Sequence, residues 1–127
     1  MAKILIIDDE EPILNMYGEA LSNHEVVYAS NGEEGLEKAR KEEPSLILLD
    51  IIMPKFNGLD VLDQLKNDKD TYQIPVMILS NLPKEASADK ARDLGAAGYF
   101  VKAEFEPEKL ASTVNGLLRA GEFDGTS

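Results

Sequence analysis

Three aspartates set the chemical question. Asp8 and Asp9 follow the apolar run Lys3-Ile4-Leu5-Ile6-Ile7, and Asp50 ends the run Leu46-Ile47-Leu48-Leu49. Runs of this kind read as strands buried on both faces, as in a parallel sheet. The carboxyl ends of such strands are where ligands and chemistry gather. If the two runs are neighbours, their carboxylates meet. Two carboxylates ~4 Å apart repel by about 4 kcal/mol at an effective dielectric near ~20. Protonating an ordinary aspartate at neutral pH costs on the order of 4 kcal/mol as well. Such a cluster therefore shares a proton or holds a cation. A hard, oxygen-seeking divalent ion resolves the conflict, and Mg²⁺ (or Mn²⁺) suits the donors. Glu10 and Glu11 read as a plain acidic helix start favoured by the helix dipole. Asp8 and Asp9, at a strand end beside a second carboxylate, read as metal ligands.

Two further run ends bring other chemistry. Ser80 closes Pro75-Val76-Met77-Ile78-Leu79 with a hydroxyl, and Lys102 closes Gly98-Tyr99-Phe100-Val101 with an ammonium suited to phosphate. Taken singly, Ser80 reads as a helix cap and Lys102 as a surface lysine. Gathered at one sheet edge, they make a pocket with a carboxylate nucleophile, a cation, a hydroxyl and an ammonium. That set fits transfer of a phosphoryl group onto Asp50, where catalysis is mostly positioning and charge neutralisation.

The elements that must position these groups are legible from periodicity. Pro12 suits the first turn of a helix whose stripe is Ile13, Met16, Tyr17, Ala20 and Leu21. Val26-Val27-Tyr28-Ala29 is a short strand, and Ser30-Asn31-Gly32 caps a helix over 33–41. Asn57-Gly58 opens a third helix with Leu59, Leu62 and Leu65 on one side. After a polar connection over 66–73 and the strand ending at Ser80, a fourth helix covers 84–94 and stops at Gly95. The strand ending at Lys102 follows, and Pro107 opens a fifth helix with the stripe Leu110, Val114, Leu117 and Leu118. Alternating strands and helices imply parallel strands, right-handed crossovers and helices on both faces. The expected fold is α/β: a doubly wound five-stranded parallel sheet of order 2-1-3-4-5, flavodoxin-like, in one domain over 1–120 with a flexible tail over 121–127. A barrel would need eight such units.

Composition narrows the partners. The chain has 127 residues and a net charge of −11, a surface that repels nucleic acid, so proteins, cations and small molecules are the expected partners. The absence of cysteine rules out disulfides and thiolate metal sites. With no apolar run near the ~20 residues of a membrane span and no signal peptide, a cytoplasmic setting is expected.

The chain resembles a receiver domain of the two-component response regulators, the family that includes the bacterial chemotaxis regulator. The likeness runs over about residues 3–118. It rests on Ile6-Ile7-Asp8-Asp9-Glu10, on Leu49-Asp50-Ile51-Ile52-Met53-Pro54 with Gly58, on Ser80, and on Tyr99 through Lys102. The resemblance implies that Asp50 accepts a phosphoryl group from a histidine kinase or a phosphotransfer protein. It implies Mg²⁺ held by Asp9 and Asp50, by Asp8 through water, and by the Ile52 backbone carbonyl. Lys102 would pair with Asp50 and then with the phosphoryl oxygens, Ser80 would move toward the phosphoryl group, and Tyr99 would turn inward behind it. The output would be a protein-binding face built from the fourth helix, fifth strand and fifth helix, with Lys84, Lys90, Arg92, Tyr99 and Glu104 as candidates. Such a domain is a self-phosphorylating switch rather than a turnover enzyme.

Some positions depart from the family pattern. Ala103 stands where most receivers have proline, so the Lys102–Ala103 bond is expected to be trans. Asn81 replaces a small residue and narrows access. Ile52 and Leu82 flank the path of a hydrolytic water in the family, and neither can orient one, which implies a phosphoryl group lasting nearer hours than seconds. Two competing readings weaken on the residues themselves. A flavin mononucleotide carrier needs a first loop that cradles phosphate, which Asp8-Asp9-Glu10-Glu11 would repel. A Mg²⁺-dependent phosphatase would need further acid/base groups.

Overall fold

Five apolar runs become the strands β1 (Lys3–Ile7), β2 (Glu25–Ala29), β3 (Leu46–Asp50), β4 (Val76–Ser80) and β5 (Gly98–Val101) of one sheet. Their order is β2-β1-β3-β4-β5 and every neighbouring pair is parallel, the topology expected from the sequence. The computed structural model describes residues 2–53, 55–80, 84–104 and 106–126. Crossovers are made by α1 (Glu11–Ala20), α2 (Gly32–Glu42), α3 (Gly58–Lys66), α4 (Lys84–Asp93) and α5 (Pro107–Thr126).

Local chemistry sets the helix ends. Asn31 accepts the Glu34 amide at 2.8 Å to start α2, and Asn57 accepts the Leu59 amide at 2.8 Å to start α3. Glu43 in the left-handed region ends α2, after Arg40 and Lys41 have complemented its dipole. Gly95, at φ +105°, turns the chain after α4, a conformation that carries little strain only without a Cβ.

Strand alternation divides the core in two. Leu5, Ile7, Ile47, Leu49, Val76 and Ile78 face Ala39 of α2, the Val61, Leu62 and Leu65 row of α3, and Ala91 of α4. Ile4, Ile6, Leu46, Leu48, Met77 and Leu79 face Leu14, Tyr17 and Leu21 along α1 and Leu110 and Val114 of α5. Both faces of the sheet are thus covered, which is why the runs are apolar throughout rather than alternating. Each fully buried aliphatic side chain contributes roughly 1.5–3 kcal/mol.

One expectation is corrected. Met16, placed in the α1 stripe by periodicity, is 44% exposed and Leu14 is buried in its stead, while Tyr17 and Leu21 are buried and Ile13 and Ala20 pack partly against the core as expected. Apolar residues surround this helix at 13, 14, 16 and 17, and the i, i+3, i+7 row wins because it meets the sheet squarely. Beyond β3, Ile52–Met53 pairs antiparallel with Phe56–Asn57. The last helix, α5, runs to Thr126. Among the described residues no helix is long and apolar enough to cross a membrane.

Candidate functional site

Strand register brings the expected groups to one edge. Ile7 lies level with Leu49, Asp50 with Leu79 and Ser80 with Val101. Asp8, Asp50, Ser80 and Lys102 therefore share the carboxyl edge of four adjacent strands. All four side chains are buried. Lys102, expected as the last strand residue, instead opens a 3₁₀ turn, Lys102–Glu104, which swings its side chain back over the edge.

The ammonium of Lys102 is the hub. It lies 2.8 Å from Asp8 Oδ2, 3.2 Å from Asp50 Oδ2 and 3.4 Å from Glu10 Oε1. The two buried aspartates are held alike. Asp8 Oδ1 accepts the Glu10 amide at 3.0 Å, and Asp50 Oδ1 accepts the Ile52 amide at 3.3 Å. Each carboxylate thus anchors one oxygen on the amide two residues ahead and turns the other toward Lys102. Asp9 stands at the solvent side, and Asp8, Asp9, Glu10 and Asp50 bring one carboxylate oxygen each to within 4.8 Å of the others.

The electrostatics follow from burial. Burial, then the neighbouring Asp8 charge, pushes the Asp50 carboxyl up to about 6, against the pull of Lys102. Burial also raises Asp8, with Lys102 opposing. Burial alone would depress the Lys102 ammonium, but its bond to Asp8 and the charges of both aspartates outweigh that and hold it protonated. Among the described residues, four carboxylates gather here and three of them share the one ammonium of Lys102, so the pocket is short of positive charge. A hard cation would supply the complement: the donors are all oxygens, and the buried Asp8 Oδ2 and Asp50 Oδ2 both face Lys102. The residues present fit a divalent ion such as Mg²⁺.

Backbone packing fixes the loop beyond Asp50. The Gly58 amide donates to the Ile51 carbonyl at 2.7 Å, and a Cβ on Gly58 would run into the Asp50 carbonyl oxygen and the Ile51 Cα. Only glycine lets α3 start this close. The Ile52 side chain is 59% exposed beside the pocket. Among the described residues there is no cis peptide, so the Lys102–Ala103 bond is trans.

Tyr99 lies on β5 level with Ile78, half-buried. It borders a groove of about 250 Å³ between α4 and β5, lined also by Ala88, Ala91 and Arg92. Lys90 is exposed, and Arg92 pairs with Asp89 at 2.6 Å. Asn81, Leu82, and the side chains of Lys84 and Glu104 lie outside the described residues.

Two residues at the site carried a different sequence reading. Glu10, read as a helix-start acid, joins the cluster and Lys102, and its direct adjacency to Asp9 was the available signal. Tyr17, read as core, is buried where it feels Lys102, Asp8 and Asp50; burial foremost pushes its phenol up to about 12. Nothing in a helical stripe distinguishes that role.

Comparison with known proteins agrees with this geometry. Residues 4–115 match the response regulator receiver domain model. The chain is 37% identical to the alkaline phosphatase synthesis transcriptional regulatory protein PhoP of Bacillus subtilis, covering 98% of this chain and 52% of PhoP. It is 37% identical to protein PilH of Pseudomonas aeruginosa, covering 93% of this chain and 98% of PilH. The chain thus spans about half the length of PhoP and nearly all of PilH. Among solved structures, the chemotaxis protein CheY4 of Vibrio cholerae superposes with a TM-score of 0.85 at 29% identity, over 92% of this chain and 98% of that one. NtrX of Brucella abortus gives 0.89 at 27% identity, over 98% of this chain and 28% of NtrX. The chain belongs to the receiver domains of two-component response regulators.

Proposed function

We propose that this domain is a phosphorylation-dependent switch in which Asp50 is the phosphoacceptor. The observation that carries the reading is the buried Lys102 ammonium spanning Asp8 and Asp50 at the carboxyl edge of the sheet. Asp8, Asp9, Asp50 and the Ile52 carbonyl would hold Mg²⁺ or Mn²⁺, whose charge offsets that of the incoming phosphoryl oxygens. An Asp50 carboxylate oxygen attacks phosphorus, and the bond from phosphorus to the donor histidine nitrogen breaks. That nitrogen keeps the electron pair and takes up a proton. The Asp50 carboxyl becomes an acyl phosphate.

Phosphorylation replaces one carboxylate by a group with nearly two negative charges and three acceptor oxygens. Lys102 then pairs with phosphoryl oxygens, Ser80 approaches them, and Tyr99 turns inward toward the groove it borders. The equilibrium shifts between two states, read out on the α4-β5-α5 face by a downstream protein. A sensor histidine kinase or phosphotransfer protein is the donor, in the cytoplasm. Beryllofluoride, a mimic of the phosphoryl group, tests this. With Mg²⁺ it should shift amide resonances at the carboxyl edge and across α4, β5 and α5, and do nothing in Asp50→Asn. Shifts that survive in that variant, or never reach β5, count against the reading.

A further inference from the structure

We propose that Glu10 sets the charge at the mouth of the Asp50 pocket, and through it both the hold on the divalent cation and the discrimination against more anionic phosphoryl donors. The inference rests on Asp50 being the phosphoacceptor. Glu10 occupies the N-cap position of α1, yet its side chain caps nothing. Its amide is committed to Asp8 Oδ1, and its carboxylate reaches across to Lys102 at 3.4 Å. One of its oxygens lies within 4.8 Å of an oxygen of Asp8, Asp9 and Asp50.

The Glu10 carboxylate is 55% exposed, whereas the Asp8, Asp50 and Lys102 side chains it joins are buried. An exposed arm of an ion pair adds little to stability. Its effect is on what approaches. A cleft lined by one sign of charge focuses the field on incoming ions. With four carboxylates and one ammonium, the pocket holding a divalent ion keeps one surplus negative charge; with Glu10 neutral, that surplus is gone. Glu10 therefore draws the cation in and turns anionic donors away.

The test compares Glu10→Gln with Glu11→Gln, which removes the same charge one residue further on, outside the cluster. Calorimetric titration with Mg²⁺ measures the hold on the cation. Loading at saturating Mg²⁺ from acetyl phosphate, a dianion, and from phosphoramidate, a monoanion, measures donor choice. Glu10→Gln should bind Mg²⁺ about three- to tenfold more weakly, and should raise the acetyl phosphate to phosphoramidate rate ratio by a similar factor, both effects shrinking in high salt. Glu11→Gln should leave both nearly unchanged. If Glu10→Gln matches Glu11→Gln in either the Mg²⁺ affinity or the rate ratio, the proposal is overturned. A wild type that takes up no phosphoryl group sinks the phosphoacceptor reading and this one with it; loading with an unaltered ratio sinks this one alone.

Discussion

Asp50 is held in a condition that folding alone does not favour. Its carboxyl is pushed up to about 6 by burial and by Asp8, from near 4 in an unfolded chain. Between those values the folded protein binds more protons than the unfolded one, so stability without a cation falls as pH rises through that window. Asp8 acts with the same sign. Replacing Asp50 with Asn removes the conflict. In EDTA at pH 7, Asp50→Asn should be more stable than wild type by about 1–3 kcal/mol. That advantage should shrink toward pH 4 and should disappear in saturating Mg²⁺, which favours the charged carboxylate. Urea midpoints across the pH range measure it. An Asn variant less stable than wild type at pH 7 in EDTA would show that Asp50 is a satisfied structural carboxylate instead.

At the scale of elements, the site depends on how closely α3 is allowed to approach the end of β3. Gly58 has no room for a methyl group, and the obstruction is backbone rather than a movable side chain. Gly58→Ala should cost about 3 kcal/mol in denaturant unfolding and should weaken Mg²⁺ binding, because the loop carrying Ile51 and Ile52 must move. A variant with unchanged stability would mean that this contact is looser than it stands here. The elements were legible because strands buried on both faces are apolar throughout, and because Gly95, Asn31 and Pro107 punctuate the helices. Asp8, Asp9, Asp50, Ser80 and Lys102 were legible because each ends an apolar run. What escaped has a common cause: it depends on direction rather than type. Periodicity put Met16 in the buried stripe of α1 and passed over Leu14, which lies one residue's rotation away from that stripe. The ribbon over 52–57 has strands of two residues, too short for any period. Glu10 belongs to the cluster only because the chain leaving β1 turns its side chain back toward Lys102.

At the scale of the whole molecule, the two core layers divide the labour. On the Leu48 side α1 and α5 enclose Tyr17; on the Leu49 side α2, α3 and α4 cover the sheet. The pocket sits at the edge where both layers end, and under the proposed function a change of charge there would be passed to α4 and α5 through β4 and β5. If Asp50 carries the proposed acyl phosphate, the exposed, apolar Ile52 side chain gives an attacking water no hydrogen-bond partner, so slow decay is expected. The most direct measurement is the intact mass of the protein followed over time after exposure to phosphoramidate or acetyl phosphate. The expected result is one added phosphoryl group that requires Mg²⁺, maps to Asp50, is absent in Asp50→Asn, and decays over hours but faster in Ile52→Asn. A protein whose mass stays unchanged with Mg²⁺ and donor present, or which carries the group on another residue, would contradict Asp50 as the phosphoacceptor.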